Sequence, residues 1–185
     1  MNYKKKLVLP FIAVLLISSV LAISVSASGE GPETTNTSFF PFTGAKAVYT
    51  VEGNSPLGHL IGTMTYTVKT VDETSYTVNI TTEGNISKIP SLVKSDTRRL
   101  ERNEPLSFSS VIEKSDLVSE KILSVGEREI KVNKYLMESE KEFGREKITI
   151  FIPERVKVPL IITYRYSNRF DVTIELDKTN VEYLQ

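Results

Sequence analysis

The chain has 185 residues, with 23 Lys and Arg against 23 Asp and Glu, 40% hydrophobic residues, and neither cysteine nor tryptophan. That balance offers no electrostatic case for nucleic acid or an anionic lipid surface. The missing cysteines exclude disulfides, thiolate metal sites and a lipid anchor on cysteine.

Lys4, Lys5 and Lys6 precede an almost unbroken apolar run from Leu7 to Val25, followed by Ser26-Ala27-Ser28. This is the order of a secretory signal or an N-terminal membrane anchor. The run falls between a signal core of about 7–15 residues and a spanning helix of roughly 20. Cleavage after Ala27 and retention as an N-terminal apolar helix both remain open. In either case the lysines stay cytoplasmic and the remainder is exported, either secreted or held at the outer face of the cytoplasmic membrane. Without the three leader lysines the balance is 20 basic against 23 acidic residues, near −3.

Three regions are predicted: 1–27 as signal peptide or anchor, 28–38 as a flexible polar tether, and 39–185 as a single β domain. The tether reading rests on SGEGPETTNTS, which is rich in Gly, Ser and Thr and has no apolar period. A frayed mature N-terminus is the other reading of the same stretch. Phe39-Phe40-Pro41-Phe42 opens the folded part as a cap on its core.

From there period-two alternation dominates, the mark of strands with one buried face. Ala47, Tyr49 and Val51 alternate with polar neighbours. Leu60, Gly62, Met64, Tyr66 and Val68 share one face, opposed by Thr63, Thr65, Thr67 and Lys69. Tyr76, Val78 and Ile80 follow, then Ile130 and Val132, then Ile148, Ile150 and Ile152. Leu160, Ile162, Tyr164 and Tyr166 precede a last strand with Val172, Ile174 and Leu176. The β-branched enrichment favours strand over helix.

Turn chemistry marks Gly53–Gly58, Val71–Thr74 and Ser167–Arg169 as short connections, so the strands form an antiparallel meander of sequence neighbours. Gly84–Ser95 contains a proline and no clean period, which predicts a long loop or short helix. Asp116–Leu123 fits a short helix or a strand.

Little points to chemistry. Asn36, Asn79 and Asn85 head Asn-x-Ser/Thr sequons and are candidate glycosylation sites in an exported chain. His59 is the sole histidine, so a metal site would need carboxylates for its other ligands, and no metal or cofactor is expected. The dense cluster Asp96, Arg98, Arg99, Glu101 and Arg102 admits an anion-binding arginine pair, but its mixed signs favour an edge strand held by ion pairs. Glu138–Glu146 reads as a solvated turn around Gly144. No nucleophile elbow, phosphate loop or HExxH occurs, and acidic pairs such as Asp171 and Glu175 have no distinguishing spacing, so no enzyme activity is expected. A hydrolase is the most distant reading.

Three stretches carry a resemblance: AVYTVEGNSPLGHLIGTMTYTV, DTRRLERNEPLSFSSVIEK and VPLIITYRYSNRFDVTIEL. Together they span most of Ala45 to Leu176, and each is a loose pattern. Their order resembles a family of extracytoplasmic domains of unknown function whose sheet is similar to the LolA/LolB lipoprotein carriers. The resemblance implies an all-β fold: one long curved antiparallel sheet forming an open half-barrel, with one or two short helices. In those carriers the concave face receives acyl chains, and the family offers no catalytic residue to carry over.

The expectation is therefore a non-enzymatic, envelope-associated domain binding an apolar ligand, a lipid or an envelope protein. If the groove is open, Tyr49, Met64, Tyr66, Tyr76, Val78, Ile150, Ile162, Tyr164 and Ile174 line it. The same residues suit a closed, dry core equally well. The alternative is a glycosylated surface module acting through its sheet edges and Thr-rich outer face.

Overall fold

A computed structural model describes residues 40–87, 89–106, 109–125, 128–142, 144–167 and 169–184. The leader, the tether, Phe39 and Asn36 lie outside the described residues. Nine strands form: β1 (Lys46–Ser55), β2 (Gly58–Val71), β3 (Ser75–Ile86), β4 (Ile89–Glu101), β5 (Asp116–Val125), β6 (Arg128–Lys141), β7 (Gly144–Pro153), β8 (Ile161–Tyr166) and β9 (Phe170–Thr179). One helical turn, α1 (Ser109–Ile112), precedes β5, and a 3-10 turn (Glu182–Leu184) follows β9. Among the described residues no helix is long and apolar enough to cross a membrane.

All nine strands join one antiparallel sheet in the order β4-β3-β2-β1-β9-β8-β7-β6-β5, open at both edges. The expected single meander is thus two meanders, β1–β4 and β5–β9, joined where β1 pairs with β9. One local expectation also changes, and one of two alternatives is selected. Gly84–Ser95 is a hairpin, with β3 running to Ile86 and β4 starting at Ile89. Pro90 hid it, because a proline argues against a central strand; β4 is an edge strand, where a missing N–H is tolerated. Asp116–Leu123 resolves as strand, within β5.

Residues opposite each other in an antiparallel ladder point to the same face, so the register defines an inner side. Ala47, Tyr49 and Val51 stand opposite Tyr66, Met64 and Gly62. Tyr66 then meets Ile80, and Val68 meets Val78. On the other side of β1, Val51 meets Ile174, which continues through Ile162 and Ile150 to Tyr135. Burial along the β5–β6 hairpin changes sides. Tyr135 and Met137 share the side of Ile150 and Ile148, yet nearer the tip the buried residues are Ile130 and Val132, on the alternate side.

Among the described residues no second sheet covers this inner side. Because β4 and β5 are opposite edges, the chain between them must cross the sheet. Its Leu106 and Val111 are buried in the core. The β7–β8 connection adds Val156, Val158 and Leu160, the C-terminus adds Val181 and Leu184, and Phe40 and Phe42 pack against the margin.

Two glycines permit close backbone approach on the inner side. A Cβ on Gly62 would stand 2.5 Å from the Glu83 carbonyl oxygen, and one on Gly53 would stand 2.4 Å from that of Asp171. Glycine inside a strand commonly marks such an approach.

Candidate ligand-binding face

All nine residues named for the groove share the inner side and are buried, with exposures between 0% (Val78, Ile150) and 6% (Tyr164). The face is apolar and continuous, but it is covered. Its tyrosines tie it to the cover. Tyr49 Oη donates a buried 2.9 Å hydrogen bond to the Pro159 carbonyl, in the β7–β8 connection. Tyr76 Oη donates to the Glu104 carbonyl at 3.1 Å, in the β4–β5 crossing. Tyr66 Oη donates to Met64 Sδ at 2.9 Å. The two covering segments also join each other: Leu106 N–H donates to the Lys157 carbonyl at 2.9 Å, and Lys157 Nζ donates to the Asn103 carbonyl.

Ring contacts stiffen the tyrosine layer. Tyr49 and Tyr66 meet edge to face with centroids 5.6 Å apart, as do Phe40 and Tyr76 at the same distance. Burial pushes the phenols of Tyr49, Tyr76 and Tyr164 above their usual range, with neighbouring Glu104 adding to the effect on Tyr76 and Glu146 to that on Tyr164. These hydroxyls therefore stay protonated and act as donors across ordinary pH. Sequence pattern located the lining but not the cover. Period-two spacing of Val156, Val158 and Leu160 was the available signal; all three lie outside regular strand yet are buried.

The outer side carries most of the strand threonines and most of the other candidates. His59 lies there, exposed, with Nδ1 3.3 Å from Asn54 Oδ1 and Nε2 3.5 Å from Glu52 Oε1. Asn79 is half-buried, and its Oδ1 accepts from Ser95 and Thr97 hydroxyls at 3.1 and 3.4 Å. Asn85 is exposed near the β3–β4 turn. Asp171 pairs with Arg165 at 3.1 Å, through the β8–β9 ladder. Among the described residues no group of three or more His, Asp or Glu is placed to hold a metal ion.

The charge cluster separates, because successive strand residues point to opposite sides. Arg99 faces outward to the β2–β3 turn: its Nη2 lies 3.0 Å from Asp72 Oδ2 and its Nε donates to Ser75 Oγ at 2.8 Å. Arg102 donates to the Asp72 carbonyl at 3.1 Å. Hydrogen bonds from the Ser75 hydroxyl and N–H, then from Thr74 N–H, with Arg99 nearby, hold the Asp72 carboxyl down at about 2. Arg98 instead faces inward with Asp96, its Nε 3.3 Å from Asp96 Oδ2. Arg98 and Arg99 therefore do not converge on one anion site, and the favoured reading, an edge strand with ion pairs, matches Arg98–Asp96 and Arg99–Asp72.

A shallow cleft of about 260 Å³ opens beside Leu176, between Val125 of β5 and Leu184, with Asp177, Lys178 and Thr179 on its rim. Its lining is half apolar, and Asp177 lies 3.8 Å from Lys178 Nζ. The chain matches no known protein family, and no curated protein is similar to it at a significant level.

Proposed function

We propose that this is an exported, non-catalytic envelope domain that holds an apolar ligand of acyl-chain type on the inner face of its sheet, beneath a displaceable cover. The half-barrel form of the sheet and its likeness to the LolA/LolB carriers belong to the same proposal. One observation carries it. Over the apolar lining lie connections and not a packed second sheet: 102–106, 109–115 and 154–160, tied to it through tyrosine hydroxyls, with Val181 and Leu184 of the C-terminus and Phe40 and Phe42 beside them. Connections open at lower free energy than paired strands, and an apolar face so covered can exchange its cover for a ligand. A leader retained as an anchor would hold the domain beside a membrane, where acyl chains are abundant.

The test is purification of the full chain without detergent, followed by native mass spectrometry, lipid extraction and titration with an environment-sensitive apolar dye. Co-purified lipid, or saturable dye binding that fatty acid displaces, is expected. Neither appearing would end the proposal.

A second reading has its own observation. Among the described residues five large hydrophobic side chains are exposed: Leu117, Val118 and Ile122 on the edge strand β5, Ile61 on β2, and Val93 on the opposite edge β4. The opposite edge, β4, carries Pro90, Lys94, Asp96, Arg98 and Arg99, residues that discourage strand addition. An interaction module working by strand addition would use β5. Capture of an envelope protein that Ile122→Lys abolishes supports it; unchanged capture removes it.

A further inference from the structure

The edge strand β4 breaks the apolar pattern of the inner side at two points. The row Ala47–Tyr66–Ile80 ends on Asp96, and the row Val68–Val78 ends on Arg98. Val78 has no exposed surface, so Arg98 stands opposite the core rather than in open solvent. Its side chain is 27% exposed, against 42% for Asp96. Asp96 engages Nε alone. Arg98 Nη2 is buried with no hydrogen-bond partner, the one side-chain nitrogen or oxygen of that kind among the described residues. A buried donor left unpaired is costly, more so on a charged group, and such an atom calls for a partner. The planar guanidinium offers its remaining N–H groups in a geometry suited to carboxylate or phosphate oxygens.

Resting on the proposed apolar-ligand function, we infer that the ligand is an anionic amphiphile: its chain lies on the inner face and an oxygen of its carboxylate or phosphate head is bound by Arg98 Nη2. The position fits both halves of such a molecule. The chain would lie along Val68, Val78 and Tyr66, and the head would reach the open edge of the sheet, where it keeps partial contact with water. Asp96 holds the guanidinium from its Nε side, so the head meets a cation already oriented. Arg99, one residue on, is committed to Asp72 and Ser75 on the other side and does not substitute for Arg98.

The experiment compares palmitate, hexadecanol and inorganic phosphate as competitors of a neutral apolar dye on the full chain, and on its Arg98→Gln and Arg98→Lys variants. Palmitate should bind the unmodified chain at least tenfold more tightly than hexadecanol. Arg98→Gln should bring that ratio to about one while leaving hexadecanol unchanged, and Arg98→Lys should restore part of it. Equal binding of palmitate and hexadecanol to the unmodified chain overturns the inference but leaves the apolar-ligand function standing. Failure of both to compete overturns the two together. Phosphate alone raising the unfolding temperature of the unmodified chain, with no preference of palmitate over hexadecanol, assigns Arg98 to a free anion and overturns the amphiphile. Because the first comparison uses the unmodified chain, a variant that fails to fold does not shelter the inference.

Discussion

Replacing Tyr49 by Phe removes one oxygen from the interior and nothing else. The ring stays in its edge-to-face contact with Tyr66, 5.6 Å between centroids, and the volume is almost unchanged. What is lost is the 2.9 Å bond from Tyr49 Oη to the Pro159 carbonyl, in a residue only 1% exposed. A neutral hydrogen bond contributes about 0.5–1.5 kcal/mol net, and leaving its buried partner unpaired costs about 1–3 kcal/mol. The two overlap, so the expected loss is about 2 kcal/mol. At about 2–4 °C per kcal/mol for a domain of this size, the unfolding midpoint falls by about 4–8 °C. Global unfolding in urea gives the first number, and amide exchange gives the second half of the test. Leu160 N–H, bonded to the Phe151 carbonyl, and Leu106 N–H, bonded to the Lys157 carbonyl, report opening of the cover. Both should exchange faster in the variant than residues of β1 and β2. Tyr76→Phe removes the corresponding bond to Glu104, and the double variant should couple to the single ones by at least about 0.5 kcal/mol if the cover opens as one unit. A stability loss below about 0.3 kcal/mol with unchanged exchange at Leu106 and Leu160 would refute the claim that tyrosine hydroxyls hold the cover.

Three further outcomes follow from the same geometry. Gly62→Val puts a branched side chain where a Cβ already meets the Glu83 carbonyl at 2.5 Å, and should cost about 1–3 kcal/mol in urea unfolding; an unchanged midpoint would show that β2 and β3 separate there without strain. Tyr49, Tyr76 and Tyr164 have folded pKa values raised by burial, so the stability they contribute is complete below pH 10 and declines above it, by up to about 1.4 kcal/mol per pH unit for each. Absorbance at 295 nm should then show these phenols ionising together with unfolding, and independent ionisation near pH 10 would contradict their burial. Asp72 has the opposite sign: its pKa is depressed to about 2, so its contribution is complete above about pH 4 and is lost as pH falls through 2. The unfolding temperature of the unmodified chain should fall more steeply than that of Asp72→Asn between pH 4 and 2, and parallel curves would remove Asp72 from the acid response.

The inner face was legible from sequence because it depends on local alternation. Tyr49, Met64 and Tyr66 could be placed on one side without knowing which strand lay beside which. The sheet order was not legible in the same way. Nothing in β1 or β9 signals that Val51 will meet Ile174, since that pairing joins residues more than a hundred positions apart. The β3–β4 hairpin was hidden by Pro90, whose penalty in a strand depends on whether the strand lies at an edge. Arg98 shows a third kind of limit. Its sequence neighbours made it one of a charged pair, and only the parity of β4 against β3 separates it from Arg99 and turns it toward Val78.

The strand order explains why this sheet has a cover at all. A single nine-strand meander would place β4 beside β5 and need only a turn between them. Here β1 takes β9 as its second partner, which sends β4 and β5 to opposite edges. The chain must then travel across the sheet, and the apolar side is the one where Leu106 and Val111 can be buried on the way. Crossing there leaves carbonyls such as Glu104 over an apolar surface, where an unpaired polar group is costly. Tyrosine resolves that conflict: its ring belongs to the apolar face and its hydroxyl reaches the backbone above it. The same solution serves Pro159 on the second covering segment through Tyr49. A cover fastened by a few such bonds, and not by a continuous ladder, is held mainly by the burial of Leu106, Val111, Val156, Val158 and Leu160, at about 1.5–3 kcal/mol for each side chain. Burial of an acyl chain in its place supplies about 0.8 kcal/mol for each buried methylene, so a chain of roughly ten to twenty carbons is needed to compete with the cover.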